Sequence, residues 1–218
     1  MQRLYQAMLL KKLYLLQACG MEYCNPLFIK PSPQHFLAKD SKMLEGLIQK
    51  CLLCPQKSSL PNAGLCNSNS QIVFVSLFPL LDFQQRFASK SAEMLHKIIT
   101  NVFGLSLKEV SLLSLLKCEI PAQNLQESLE MCLGYFYKQL QFTQSKIIVA
   151  LGKEAYFHLS GDGTPYEKVR GKILEWKEYL LMPTFSLLEL LQKPNLKIQA
   201  HKDFLTLKSH LKEHYETK

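Results

Sequence analysis

Apolar positions along this chain switch between helical and strand periods several times, and the switches mark out its elements. Leu4, Met8, Leu9, Leu13 and Leu16 recur at helical spacing up to Gly20, which predicts an amphipathic packing helix over residues 2–18. Asp40 or Ser41 can cap a short helix, MLEGLIQK, that runs directly into Cys51-Leu52-Leu53-Cys54-Pro55. Residues 56–70, rich in Ser, Asn and Gly, follow neither period and read as a loop.

From Gln71 the texture changes to QIVFVSLF, a β-branched and aromatic run of the kind that forms a buried strand. A helix follows from about Ser91 and stops at Gly104. VSLLSLL at 110–116 is a second strand, delivering Cys118 just past its end. Asn124 and Glu127 have the spacing of a capping box for the helix LQESLEMCLGYFYKQL, which carries Cys132. Strand KIIVALG, helix KEAYFHLS, a Gly/Pro loop over 161–171, strand YLLMP and two terminal helices complete the chain.

This alternation predicts an α/β fold of parallel β-α-β units with helices on both faces of the sheet, since a parallel neighbour requires a crossover long enough for a helix. Ligand sites in such sheets gather beyond the carboxyl ends of the strands, here the segments after Phe78, Leu116, Leu151 and Pro183. With 218 residues and 47% apolar content, residues 1–218 are expected to form one domain, with an N-terminal helical extension at about 1–40.

Charge and cysteine usage narrow the function classes. The net charge of +8 favours an anionic partner such as nucleic acid, although it comes almost entirely from lysine, with Arg3, Arg86 and Arg170 the only arginines. Lys11 and Lys12 interrupt the apolar N-terminus below the length of a signal-peptide core, and no run approaches a membrane span. A cytoplasmic protein is therefore expected, with no membrane association, and its seven cysteines should be thiols or metal ligands rather than a disulfide framework.

Four of those cysteines form a pattern. Cys51 and Cys54 stand as C-x-x-C, Cys118 ends a strand and Cys132 lies one and a half turns into a helix. Four thiolates suit a 4Fe–4S cubane, one per iron, and suit a structural tetrahedral zinc equally well; inert buried thiols are the remaining reading. Cys19, Cys24 and Cys66 share no such pattern and read as ordinary thiols.

Several stretches taken in order resemble the family-four, iron–sulfur uracil-DNA glycosylases between about Cys51 and Asp203. They are Cys51-Leu52-Leu53-Cys54-Pro55, Leu115-Leu116-Lys117-Cys118, Cys132-Leu133-Gly134-Tyr135 with Gln139-Leu140, the run SKIIVALGKEAYFHLSG, and Val169-Arg170-Gly171-Lys172. The resemblance implies a three-layer α/β/α sandwich around a short, mostly parallel sheet. It also implies a 4Fe–4S cluster on Cys51, Cys54, Cys118 and Cys132, and DNA as the partner of a monomeric protein.

Members of that family flip the target base out of the stack and hydrolyse its N-glycosidic bond, which requires oriented water and hydrogen-bond donors for the leaving base. Where the family carries its acidic residue this chain has Leu77, which cannot position water. The base-reading Asn falls on Ser114, whose single hydroxyl cannot make an amide's paired contacts, and Ser186 stands in the place of the motif His. Phe87 aligns with the base-stacking aromatic, with packing in the core as its other reading. Asp82, five residues past Leu77, is the displaced candidate acid, against the ordinary role of a turn-forming Asp. Lys172, Lys193 and Lys197 are candidate phosphate contacts, while His210 and His214 on the last helix read as a solvated face.

Three functions follow from these positions: a DNA-binding glycosylase homologue with lost or much reduced base excision, an active divergent DNA N-glycosylase of base excision repair using Asp82 or backbone groups, and a cluster-containing structural or redox partner without DNA binding.

Overall fold

The structure, a computed structural model, describes Lys11 and residues 38–54, 57–161 and 163–215. The chain separates into Met1–Gln34 and His35–Lys218; the second unit is described here. The helix expected over 2–18 lies outside the described residues but for Lys11.

Among the described residues, four strands are parallel and one is antiparallel. β1 (Ile72–Ser76), β2 (Val110–Ser114), β3 (Ile147–Leu151), β4 (Leu174–Trp176) and β5 (Tyr179–Thr184) form one sheet in the order β2-β1-β3-β5-β4. The register sets Ser76 beside Ser114 and Leu151 beside Thr184, so the carboxyl ends of four strands finish along one edge. Only β4 runs antiparallel, closing onto β5 through a two-residue turn in which Lys177 adopts φ 55°.

Seven α-helices accompany the sheet among the described residues: α1 (Ser41–Gln49), α2 (Lys90–Ile98), α3 (Leu125–Phe142), α4 (Lys153–Ser160), α5 (Tyr166–Val169), α6 (Leu187–Gln192) and α7 (Lys197–Tyr215). The side-chain alternation of the strands divides the core. Val73, Val75, Leu113, Ile148, Ala150 and Leu181 pack with Leu129, Phe136 and Leu140 of α3 and Tyr156 and Leu159 of α4. Ile72, Phe74, Leu112, Val149 and Met182 pack on the other face with Leu95 of α2, Leu187 and Leu190 of α6, and Ala200, Phe204 and Leu207 of α7. A strand buried on both faces must be apolar at consecutive positions, which is why IVFVS and IIVAL read as unbroken runs. The result is the expected α/β/α sandwich. No helix among the described residues is long and apolar enough to cross a membrane.

The helix signals succeed where the cap residue has extended backbone. Asp40, at φ −143°, accepts a hydrogen bond from Met43 N at 2.8 Å and starts α1. Gly104 closes the π-helical turn Ile99–Phe103 that continues α2. The capping box expected at Asn124 and Glu127 does not form, because Asn124 already belongs to a 3-10 turn and its side chain makes no cap. A complete capping box instead joins Ser106 and Glu109, just ahead of β2. The stretch 56–70 is more than a loop: Leu65 and Leu112 exchange backbone hydrogen bonds at 2.8 and 2.9 Å along the outer edge of β2.

Candidate metal centre and strand-end cleft

All four cysteines of the pattern are buried. Cys51 and Cys54 follow α1 in a turn, Cys118 follows β2, and Cys132 sits on the inner face of α3. They act on one another electrostatically: burial first, then the sulfurs of Cys132, Cys54 and Cys51, push the Cys118 thiol up to about 12. Burial likewise pushes Cys132 up to about 11, opposed by the Lys117 backbone N–H, which donates to its sulfur. The Tyr135 hydroxyl lies against Cys51 and is raised by burial and by these sulfurs. Lys57 Nζ donates to the Cys51 carbonyl at 2.7 Å and braces the C-x-x-C turn. Among the described residues no group of three or more His, Cys, Asp or Glu side chains is placed to hold a metal ion.

Beside the thiols lies a fully buried lysine that sequence reasoning passed over. Lys117 Nζ donates to the Ser114 carbonyl at 2.5 Å and to Gln139 Oε1 at 2.6 Å, with the Phe136 ring centroid 6.0 Å away. Gln139 Nε2 in turn donates to the Ala63 carbonyl at 2.6 Å, tying α3 to the edge segment. Burial pulls Lys117 down to about 8, while Cys132 and Cys66 favour its charged form. No carboxylate among the described residues pairs with it. Four buried thiols are donors of the kind a sulfur-held cofactor uses, and burial keeps Cys118 and Cys132 protonated until such a group binds.

Past the carboxyl ends of β1, β3 and β5 opens a cleft of about 770 Å³. It is where strand order places a ligand in an open sheet. Its floor is Ser76-Leu77-Phe78-Pro79-Leu80 from the end of β1, Leu151 to Ala155 from β3 and α4, and Ser186 to Glu189 of α6. The ladder runs on past β1, with Leu116 N donating to Leu77 O at 2.9 Å, so Leu77 is fixed as an apolar tip. Ser186 is the N-cap of α6, its hydroxyl accepting from Glu189 N at 3.1 Å. Gly152, at φ 103°, lets β3 pass close beneath Ser186, where an added Cβ would come within 2.8 Å of the serine Cβ.

Leu77, Ser186 and Lys193 thus share the cleft, Lys193 at its rim 3.9 Å from Glu189. Ser114 does not line it: it is 2% exposed, and its hydroxyl has no partner among the described residues. Phe87 also stands apart, partly buried against the α2 side of the core and stacked on His96 at 5.3 Å between ring centroids. Asp82 braces a turn: its carboxylate accepts from Gln84 N at 2.8 Å, Arg86 N at 2.9 Å and Arg86 Nε at 3.0 Å, which holds it below the usual carboxylate range. Lys172 is exposed in the turn after α5, and Lys197 is exposed at the start of α7 beside a separate apolar groove. His210 lies on α7, and the side chain of His214 lies outside the described residues.

The cleft also gathers Glu119, Glu154, Lys153 and Gln192, which sequence reasoning did not single out. Glu119 directly follows Cys118, and Lys153 with Glu154 opens the helix after β3, so the strand-end rule was the signal that could have found them. The Arg170 of the Val169-Arg170-Gly171-Lys172 stretch is structural: its NH1 reaches Asp203 at 2.6 and 2.8 Å, and Thr184 Oγ1 donates to the same carboxylate at 2.9 Å. This network clamps α7 to the end of β5.

A family model described as the uracil DNA glycosylase superfamily matches residues 63–207. Among curated proteins, the chain is 27% identical over 181 residues to the type-4 uracil-DNA glycosylase of Saccharolobus solfataricus, covering 75% of this chain and 83% of that one. It is 29% identical over 170 residues to the protein of the same name from Sulfurisphaera tokodaii, covering 72% and 76%. The Archaeoglobus fulgidus type-4 uracil-DNA glycosylase is 27% identical over 172 residues, covering 72% and 86%.

Proposed function

Because this chain belongs to the uracil-DNA glycosylase superfamily, we propose that it is a DNA-binding, 4Fe–4S-bearing relative of the type-4 enzymes in which base excision is lost or much reduced. The observation that carries this reading is the chemistry of the cleft. An apolar Leu77 forms the tip of β1, Ser186 spends its hydroxyl on capping α6, and Ser114 lies beneath the surface. Release of uracil needs donors aimed at the departing base, and one such donor is typically worth ~2.7–4 kcal/mol of barrier. Neither leucine nor a cap serine supplies the charge or reach of the residues it replaces.

Cys51, Cys54, Cys118 and Cys132 would hold the cluster, which when bound supplies a covalent fastening between the segment before the sheet, the end of β2 and α3. A backbone N–H on Cys132, which favours its thiolate, and the buried Lys117 ammonium without a carboxylate partner among the described residues support this over inert cysteines. Lys193 at the cleft would meet a phosphate as a point charge, with the exposed Lys172 and Lys197, outside the cleft lining, adding to non-specific attraction. We take the protein to be a cytoplasmic monomer with a single glycosylase-like domain and an N-terminal extension.

One observation favours a second reading. Glu119 and Glu154 bring carboxylates to the cleft without Asp82, and either could orient water for a divergent N-glycosylase. Abasic-site formation on uracil-, hypoxanthine- and mispair-containing DNA, single- and double-stranded, decides between the two. The expected result is salt-dependent binding without base release; release that disappears in Glu119→Gln or Glu154→Gln would overturn the binding-only reading in favour of the second.

A further inference from the structure

We infer that Phe83, with Leu60 and the amide of Gln85, forms a second site, outside the strand-end cleft, that takes an unpaired nucleobase of a DNA strand. This rests on the DNA-binding reading above. Residues 81–87 make a small hairpin: Leu81 bridges to Phe87, Asp82 N donates to Arg86 O at 2.7 Å, and Ala88 N donates to Leu80 O at 2.9 Å. Leu80 and Ser89, on either side of it, both line the strand-end cleft, so the hairpin rises from the wall of that cleft. Its tip is tied down. The buried Asn62 donates through Nδ2 to the Leu81 and Asp82 carbonyls at 2.8 and 2.5 Å, accepts from Gly64 N at 2.6 Å, and gives its own N–H to the Lys117 carbonyl at 2.6 Å. Gln85 N donates to Asp82 O at 3.0 Å, with Gln85 at φ 60°, a conformation that residues other than glycine seldom adopt.

A hairpin held in this way presents Phe83 to solvent, 69% exposed. The ring shares a cavity of about 250 Å³ with Leu60, itself 71% exposed, and with Pro61, Gln49 and Gln85. Every side chain lining that cavity is uncharged, which suits the face of a base and not a phosphate. The Gln85 amide has no hydrogen-bond partner among the described residues, and it offers both a donor and an acceptor to a base edge. Lys50, which follows Gln49, is exposed and in no ion pair among the described residues, so it is available to the phosphate beside the base. An exposed aromatic plane next to a cation is how proteins hold single-stranded nucleic acid, because every base has a face to stack. Bases inside a duplex have both faces covered by their neighbours, so the site selects unpaired ones.

The test uses the full-length protein and a fluorescein-labelled oligothymidylate, alone and annealed to its complement, read by fluorescence anisotropy. Phe83→Ala should weaken binding of the single strand by about 5- to 140-fold. It should leave duplex binding near the parent value and the salt slope unchanged, since no charge is removed. Phe83→Trp should bind as the parent does, and Phe83→Leu, which keeps apolar area without a plane, should bind like the alanine variant. The ring's exposure means that the variants should unfold at the parent's urea midpoint, so a loss of binding reports the site itself. Undiminished single-strand binding by Phe83→Ala, equal weakening on both forms of DNA, or a leucine variant that matches the parent overturns the inference and leaves the DNA-binding reading standing. A parent protein that binds neither form overturns that reading and this site with it.

Discussion

Replacing Gly152 with alanine should be among the most damaging single-methyl additions in this protein, because two separate costs fall on one atom. At φ 103° and ψ 160° the backbone sits in a region that is essentially reserved for glycine, and holding another residue there costs ~1–3 kcal/mol. The new Cβ would also lie 2.8 Å from the Cβ of Ser186, a contact that must be relieved by shifting the start of α6. Overpacking of this kind costs ~1–3 kcal/mol. The shift endangers the Ser186 cap on Glu189 N, and the two costs together come to about 2–6 kcal/mol. For a domain of this size that is a fall in Tm of roughly 4–24 °C. Urea unfolding followed by circular dichroism measures it, with Gly161→Ala as the matched comparison. Gly161 also has positive φ, at 62°, but nothing lies within 4 Å of its added Cβ, so it should lose only ~1–2 kcal/mol. Equal stability of the two variants, or a Gly152→Ala protein as stable as the parent, would refute the steric reasoning.

Three further outcomes are expected. Asp203→Asn removes the charge that Arg170 meets at 2.6 Å and weakens the clamp of α7 on β5; because the Arg170 side chain is about a quarter exposed, the loss is set at ~2–3 kcal/mol, below the range for fully buried pairs, and urea unfolding reads it. Asp82 has a folded pKa below its unfolded value, so its contribution is in place above the ordinary carboxylate range and lost as pH falls through the lower folded value; Asp82→Asn should flatten the acid limb of a stability–pH curve below about pH 4 while leaving neutral DNA binding unchanged. Lys193→Ala should reduce the slope of log affinity against log salt for double-stranded DNA by about 0.9, measured by fluorescence anisotropy, and an unchanged slope would remove Lys193 from the phosphate-contact set.

The parallel strands were legible because burial on both faces leaves uninterrupted β-branched runs, as in Ile72–Ser76 and Ile147–Leu151. Two elements and one capping box were hidden for local reasons. β4 has three residues and turns through Lys177-Glu178, with none of the glycine or asparagine that announces a hairpin. α5 is a single turn inside a Gly/Pro stretch, held by Tyr166, whose hydroxyl donates to the Thr184 carbonyl at 2.5 Å. Asn124 and Glu127 had the capping spacing without the extended backbone that a cap requires, whereas Ser106 and Glu109 had both.

The site was legible to the extent that strand ends define it. Leu77 and Ser186 reach the cleft because each lies just past a strand, while alignment alone could not tell that Ser114 is covered or that Phe87 faces His96. Lys117 escaped notice because a lysine closing an apolar run looks like the solvated end of a strand. Its burial depends on Gln139, twenty-two residues away on another element.

The segment that lies along β2 has a consequence for how copies of this protein meet. An outermost strand with free N–H and C=O groups is a template for pairing with another chain, and this one is already occupied by Leu65 of its own polypeptide. Asn67 reinforces the seal, its side chain donating to the Leu107 and Val110 carbonyls at 2.8 and 2.6 Å. The opposite border ends in the short β4, flanked by the exposed charges of Glu175, Lys177 and Glu178. Both margins of the sheet are therefore closed to fibre-like stacking, and a side chain at Gly64, where a Cβ would strike the Leu112 carbonyl, is the change best placed to pry one of them open.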